Sequence, residues 1–336
     1  MKLNTNKKTF FLKESNVIVE LKIDIPKKLY KYFSINEKSL ENLKNNKVHF
    51  SHPFNLNDIM EGNTQLWDLK DFIKEYQQNT NFNYNEQQIS QFINQELPEE
   101  VFKHRGVLCL TTNFNNNLFW PHYTSETGIC IEYNSDFFLQ SFKNLDYIIF
   151  PMDYKTLDRI NFNEYIITTK INNQVDVNVN LPIIYSLSVK DKIWEYEEEW
   201  RIVIKKDNLG KISHPLKIID DSTFKEEKSS LTNRNITYNP KSIEKIIFST
   251  LFFSNKIFNK IEKNNGNYKY YFREGNEIFV NFFYELKKSF YKKLYQVDRN
   301  VNQNGEIISE LLFKIEIVKI NNTFVIIKRK NNNDSI

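Results

Sequence analysis

The chain has 336 residues and a formal net charge of +4, from 46 basic and 42 acidic side chains. Only 7 glycines are present, with no G-x-G-x-x-G and no G-x-x-x-x-G-K-[ST], which excludes a Rossmann fingerprint and a P-loop. A hydrophobic fraction of 40% with 28 Phe and 18 Tyr can fill a large core, and the mild basicity allows a nucleic-acid partner without demanding one.

Cys109 and Cys130 stand in apolar, strand-like runs, as buried free thiols do. The first 22 residues lack a signal-peptide core, and no run approaches the ~18 apolar residues of a membrane span. The expectation is a cytoplasmic protein with no membrane partner.

In chain order, residues 1–27 predict an N-terminal arm around Val17-Ile18-Val19. Residues 29–33 read as a strand. A capping box from Ser34 to Glu37 opens a helix carrying Leu40 and Leu43, and 48–51 form a second strand. Residues 52–62 predict an ordered loop. Apolar spacing predicts helices over 66–76 and 86–103, the latter interrupted at Pro98. Two buried strands, 106–111 and 128–133, flank a segment containing Phe119-Trp120-Pro121-His122-Tyr123. Ser135 is expected to cap a helix reaching Phe142, followed by a strand over 147–150. A helix near 182–190 precedes a strand from Glu197 to Ile204, and residues 205–238 are rich in loops. A strand over 242–249 follows, then a helix opened by Ser254. The remainder to 328 reads as strands, including 268–272, 278–284, 313–320 and 324–327. This order of elements is α+β. The expected organisation is an arm (1–27), a single α+β domain (28–300), a C-terminal hairpin (301–328) and a disordered tail (329–336).

The most informative stretch is Trp194-Glu195-Tyr196-Glu197-Glu198-Glu199-Trp200-Arg201. On an extended chain Glu197, Glu199, Arg201 and Val203 share one face, and Trp200, Ile202 and Ile204 share the other. Two carboxylates about 7 Å apart then line one surface. Glycosidic chemistry passes through an oxocarbenium-like state that negative charge stabilises, so such a pair suits it. The same residues also fit a surface ion pair worth under ~1 kcal/mol. Trp120, His122 and Tyr123 are suited to stacking on a planar ring and donating a hydrogen bond, or to packing a core. Asn57, Asp58 and Glu61 fit a cation or sugar site or, preferably, the turns of their own loop. The histidines have no zinc-like spacing. Lysines 287, 288, 292 and 293, interleaved with Phe290, Tyr291 and Tyr295, suit either nucleic acid or a solvated edge.

Together, L-Y-K-Y-F-S, V-H-F-S-H-P with N-D-x-x-E, L-C-L-T, W-P-H-Y, G-I-C-I-E-Y and W-E-Y-E-E-E-W-R-I-V resemble a bacterial family catalogued only as a domain of unknown function. Its members lie near phage-defence and abortive-infection loci. The chain departs from it with Phe33 where an arginine is common, and with Leu56 and Ile59 where Phe and Pro are usual. More distantly, the motif order is similar to that of ADP-ribosyltransferases. That resemblance implies a split β-sheet core with flanking helices, followed here by a β-rich C-terminal part. It implies NAD as substrate and a nucleic-acid or protein acceptor, with a restraining partner protein as a further expectation. It assigns Glu199 as the catalytic carboxylate and Glu197 as the group orienting the acceptor. Arg201 or Lys31 would meet the pyrophosphate or ribose. Ser51 would lie on the second strand, and Tyr30, Trp120, His122 and Tyr123 would frame the ring. The alternatives are a metal-dependent nuclease using Glu197, Glu199 and Asp58, a non-catalytic nucleic-acid-binding defence protein, and a sensor in which the glutamates and Arg201 form a structural network.

Overall fold

Strands Arg105–Thr111, Glu199–Lys205 and Asp146–Pro151 lie side by side and carry the first of two interleaved units, residues 1–25, 49–110 and 142–236. The second unit comprises residues 26–48, 111–141 and 237–336. The computed structural model describes residues 2–13, 16–58, 61, 64–80, 85–116, 118–171, 174–210, 212–215, 220–254, 256–264, 266–301 and 307–330. The chain is mixed α+β, as the order of predicted elements implies.

In the first unit, strands Lys2–Asn4, Lys8–Lys13 and Asn16–Leu21 form an antiparallel meander. Phe10 on its middle strand is fully buried and meets Phe150 edge-on at 5.7 Å. Helix Asn180–Ser186, whose apolar residues Leu181, Ile183 and Ile184 are all buried, packs into the same core. The helix expected over 66–76 lies later, at Lys70–Thr80, after a short 3-10 turn Thr64–Leu66. The interruption expected at Pro98 takes the form of a change of winding: α-helix Glu86–Gln91 passes through a π turn, Phe92–Glu96, into Leu97–Phe102. Pro98 sits in the first turn of segment Leu97–Phe102, just after that π turn, where the changed winding accommodates its missing N–H. Within the loop-rich span, Asp220 caps a helix over Asp221–Ser230.

The second unit is built on a mixed sheet ordered Phe258–Asn264, Asn267–Phe272, Phe324–Lys330, Ile307–Ile320, Leu294–Val301, Ile243–Phe248, Ile129–Asn134, Lys28–Phe33. Ile243–Phe248 pairs parallel with Leu294–Val301 and antiparallel with Ile129–Asn134, and Leu294–Val301 pairs antiparallel with Ile307–Ile320. Gly128 admits a close approach there, since a Cβ on it would lie 2.1 Å from the Phe33 carbonyl oxygen. Two predicted elements are corrected. Residues 278–284 are helical, inside helix Glu277–Ser289. Their aromatic and β-branched residues mimic a strand, but Val280, Phe283 and Leu286 recur on one buried stripe, and that periodicity wins. The helix expected after Ser254 is instead a turn leading into strand Phe258–Asn264. The cap at residue 36 also differs in detail: Asn36, not Ser34, accepts the Ser39 N–H at 2.9 Å. Of the expected tail, residues 329–330 complete strand Phe324–Lys330, and 331–336 lie outside the described residues. No helix among the described residues is long and apolar enough to cross a membrane.

Candidate functional site: a buried ionic cluster

The cluster belongs wholly to the first unit. Buried helix Asn180–Ser186 leads into the two-residue strand Val189–Lys190, which pairs parallel with Asp153–Tyr154 and turns the Lys190 side chain inward. Asp191 then accepts the Ile193 N–H at 2.9 Å and starts a 3-10 turn, Lys192–Glu197. Glu198 adopts φ 44°, ψ 44°, and the strand begins only at Glu199. The strand expected from Glu197 is therefore two residues too long. Glu197 is delivered by the turn and Glu199 by the strand, yet both carboxylates reach Lys190 Nζ, at 2.7 Å and 3.3 Å.

Glu199 and Arg201 do share a strand face, as alternation requires. Arg201 donates through Nε to Glu199 Oε1 at 2.6 Å and through Nη2 to Oε2 at 3.0 Å, a bidentate fork. Its Nη1 donates to the Leu187 carbonyl at 3.0 Å, and Nη2 also meets Glu61 Oε1. Lys190 Nζ lies 3.4 Å from Glu61 Oε1 and 4.7 Å from the Trp194 ring centre. The Glu199 backbone N–H donates to the Tyr154 hydroxyl at 2.7 Å. Arg201 is 0% exposed and Lys190 3%. Three carboxylates and two cations are thus taken out of water together, a burden that only mutual pairing offsets.

Glu199 and Glu61 titrate in opposite directions. Burial pushes Glu199 up, but Arg201 and Lys190 outweigh it and hold the pKa at about 2. At Glu61 burial, reinforced by Glu199, prevails over Arg201 and Lys190, and the pKa is raised. Lys190 is raised because Glu199 and Glu61 overcome its burial. Beside the cluster, Lys8 Nζ donates to Asp153 Oδ2, to Pro151 O at 2.5 Å and to Ser188 O at 3.3 Å. Burial lowers its pKa to about 8 against the pull of Asp153. The second oxygen, Asp153 Oδ1, is buried without a hydrogen-bond partner among the described residues.

Of the predicted site residues, Glu197, Glu199 and Arg201 meet in this cluster. Ser51 is also in the first unit and exchanges backbone hydrogen bonds with Val107, at 2.8 Å and 2.9 Å. Tyr30, Lys31, Trp120, His122 and Tyr123 belong to the second unit. There the Tyr30 hydroxyl donates to Glu132 Oε2 at 3.3 Å, and burial followed by Glu132 raises its pKa. Lys31 Nζ stands 5.7 Å over the Phe33 ring. Trp120 is buried in a core with Cys130, Ile247 and Val297 and meets Tyr32 edge-on at 4.9 Å. His122 is exposed on helix Phe119–Thr124, and half-buried Tyr123 packs edge-on against Phe119 at 5.3 Å. Trp120 therefore serves the second unit's packing.

Sequence reading missed Lys190 altogether and assigned Glu61 to loop architecture. The N-D-x-x-E pattern was the available signal for Glu61; nothing local marks Lys190. Among the described residues, no group of three His, Cys, Asp or Glu side chains is placed to hold a metal ion.

These features define an α+β protein with a charge cluster sealed into one unit. Residues 119–202 match the family described as "Protein of unknown function (DUF2971)", a span holding Lys190, Glu197, Glu199 and Arg201 but not Glu61. No curated protein and no solved structure matches the chain.

Proposed function

We propose that the chain is an ADP-ribosyltransferase-like effector, acting in antiphage defence or as a toxin, that cleaves NAD and transfers ADP-ribose to a nucleic acid or protein. The observation that carries this reading is the pair of carboxyl groups driven apart on one guanidinium: Glu199 held ionised and Glu61 raised. Such divergence is the pattern of sites that need one permanent anion and one proton-handling carboxyl. Glu199 would stabilise positive charge at the anomeric carbon as the bond to the nicotinamide nitrogen breaks and its electron pair passes to the ring. The acceptor's heteroatom, oriented by Glu197, then bonds to that carbon, and its proton passes to Glu61, the carboxyl whose raised pKa suits it to take one. Arg201 donates to Glu199, Glu61 and the Leu187 carbonyl, so in this reading it positions Glu199 rather than gripping the pyrophosphate.

A second reading draws on the burial of Arg201 and Lys190: the cluster is a structural keystone of a non-catalytic, nucleic-acid-binding protein. Metal-dependent cleavage is less supported, because Glu197 and Glu199 face Lys190 and Arg201. The test is turnover of labelled NAD by wild type and Glu199→Gln, with RNA, DNA and lysate protein as acceptors, alongside thermal melts. Turnover lost in a folded variant supports the transferase. No NAD consumption by wild type, or a fully active variant, sinks it. A variant that unfolds favours the keystone.

A further inference from the structure

The C-terminal strands of the second unit carry a surface that the sequence did not single out. Register places Tyr271 opposite Phe324, Lys260 opposite Tyr271, Lys269 opposite Ile326, and Lys319 opposite Ile326. Paired residues share a face, so these side chains stand together. The opposite face carries Tyr270, Ile315, Ile317, Val325 and Ile327, all buried, with Tyr270 and Phe272 on the same side as Phe283 of helix Glu277–Ser289. That helix side is where the core lies.

The open face is different. The Tyr271 and Phe324 rings are half-buried with centres 6.0 Å apart. Lys269 Nζ lies 4.5 Å from the first ring centre and 4.2 Å from the second. Lys260 stands 5.4 Å over Tyr271, and Lys319 5.9 Å over Phe324. Lys260, Lys319 and Lys328 are exposed. By register the face holds lysines 260, 269, 314, 319 and 328 against glutamates 262 and 316. Lys260 also pairs with Glu262 Oε1 at 2.5 Å, whereas the ammonium groups of Lys269 and Lys319 rest on aromatic faces, a weak arrangement at an exposed site and readily exchanged for a better planar partner.

We propose that this face binds single-stranded RNA, its bases stacking on Tyr271 and Phe324 and its phosphates meeting the surrounding lysines. An acidic peptide would satisfy the lysines and leave the rings unused, whereas a polynucleotide uses both. A duplex keeps its bases stacked inside. An antiparallel sheet with aromatics on its open face and a helix behind is a geometry that receives unstacked RNA bases. A groove at the end of these strands, reaching round to helix Glu277–Ser289, is lined by Lys260, Tyr271, Arg273 and the exposed amides of Asn259 and Asn322 together with Glu274 and Glu277, and these polar groups supply partners for a 2′-hydroxyl. The inference stands apart from the NAD reading and survives its failure.

The experiment is fluorescence anisotropy on the full chain with a labelled oligouridylate of about twelve nucleotides, enough for several stacking sites. A thymidine oligomer, an RNA duplex and poly-glutamate serve as comparison probes. Tyr271→Leu and Phe324→Leu should each weaken binding ~10-fold, while Tyr271→Phe, which keeps the ring, binds as wild type. Lys319→Glu, at an exposed position, should weaken binding and flatten its dependence on salt between ~50 and ~200 mM. Lys263→Glu, on the opposite face, should change it little. Absence of binding, equal or tighter binding of any comparison probe, or equal losses from Lys263→Glu and Lys319→Glu would overturn the proposal. Should the leucine variants fail to fold, Tyr271→Phe and the two lysine variants still decide it.

Discussion

Each unit buries a glutamate among cations, and the two do it differently. In the first unit Glu199 and both its cations are sealed, with Lys190 3% and Arg201 0% exposed. In the second, Glu132 is equally buried, at 1%, but its lysines are not: Lys28 is 47% exposed and Lys245 26%. Lys28 Nζ lies 2.8 Å from Glu132 Oε1, and Lys245 Nζ 2.9 Å from Oε2, so the distances resemble those around Glu199. What differs is who was desolvated. Around Glu132 only the carboxylate leaves water, and the lysines keep their hydration and feel salt. Around Glu199 every member has left water, and removing one strands the rest. Similar distances therefore conceal different energetic stakes.

The largest test of that contrast is Arg201→Met, which leaves Glu199 and Glu61 facing Lys190 alone. It should cost ~3–5 kcal/mol in urea unfolding, with little dependence on salt. A loss no greater than that for an exposed pair would break the comparison.

Glu199→Gln should cost less, because the amide still accepts from Arg201, and it should change the acid limb of stability. The folded pKa, about 2, lies below the ordinary 4.5, so the ionised carboxylate stabilises the fold above pH 4.5. That contribution is lost as pH falls towards 2. Wild-type melting temperatures should drop across this interval, and those of Glu199→Gln should drop less steeply. Parallel curves would show that other carboxyl groups govern acid unfolding.

Glu132→Gln should come next, costing ~1–3 kcal/mol for weakened charged hydrogen bonds, with a visible reduction of that cost in salt. Lys28→Ala should be the smallest, within ~1 kcal/mol and vanishing at high ionic strength. A salt-independent Lys28 effect would erase the distinction between the two clusters.

How far the sequence revealed these sites follows from the range of the contacts. Glu199 and Arg201 are two residues apart on one strand, so alternation alone puts them on one face. Lys190 reaches them only because a buried helix and a two-residue strand return the chain to that place, and no local pattern encodes such a return. Glu61 lies far away in sequence, and the Asn and Asp beside it made a turn the simpler explanation. Elements show the same division. Strands Ile129–Asn134 and Ile243–Phe248 were legible as apolar runs, within a residue or two. Helix Glu277–Ser289 was not, because Ile278, Phe279, Val280, Phe282 and Phe283 favour strand composition while their burial follows helical period. Trp120 was ambiguous for another reason: an indole beside a histidine fits a ring site and a core equally until its neighbours are known.

Glu198 carries a consequence for sequence drift. With φ and ψ both at 44°, it occupies a backbone region hostile to β-branched side chains. The two carboxylates meet at Lys190 because the chain turns sharply between them, so the middle letter of Glu-x-Glu is restricted by shape while the outer letters are restricted by charge. A library randomised at position 198 and selected for folded protein should return Gly, Asn and Asp readily and be depleted of Val, Ile and Thr. An alphabet that admits small polar residues and shuts out branched ones would mark this motif as a bend in other chains, where the spacing alone would pass for an ordinary strand.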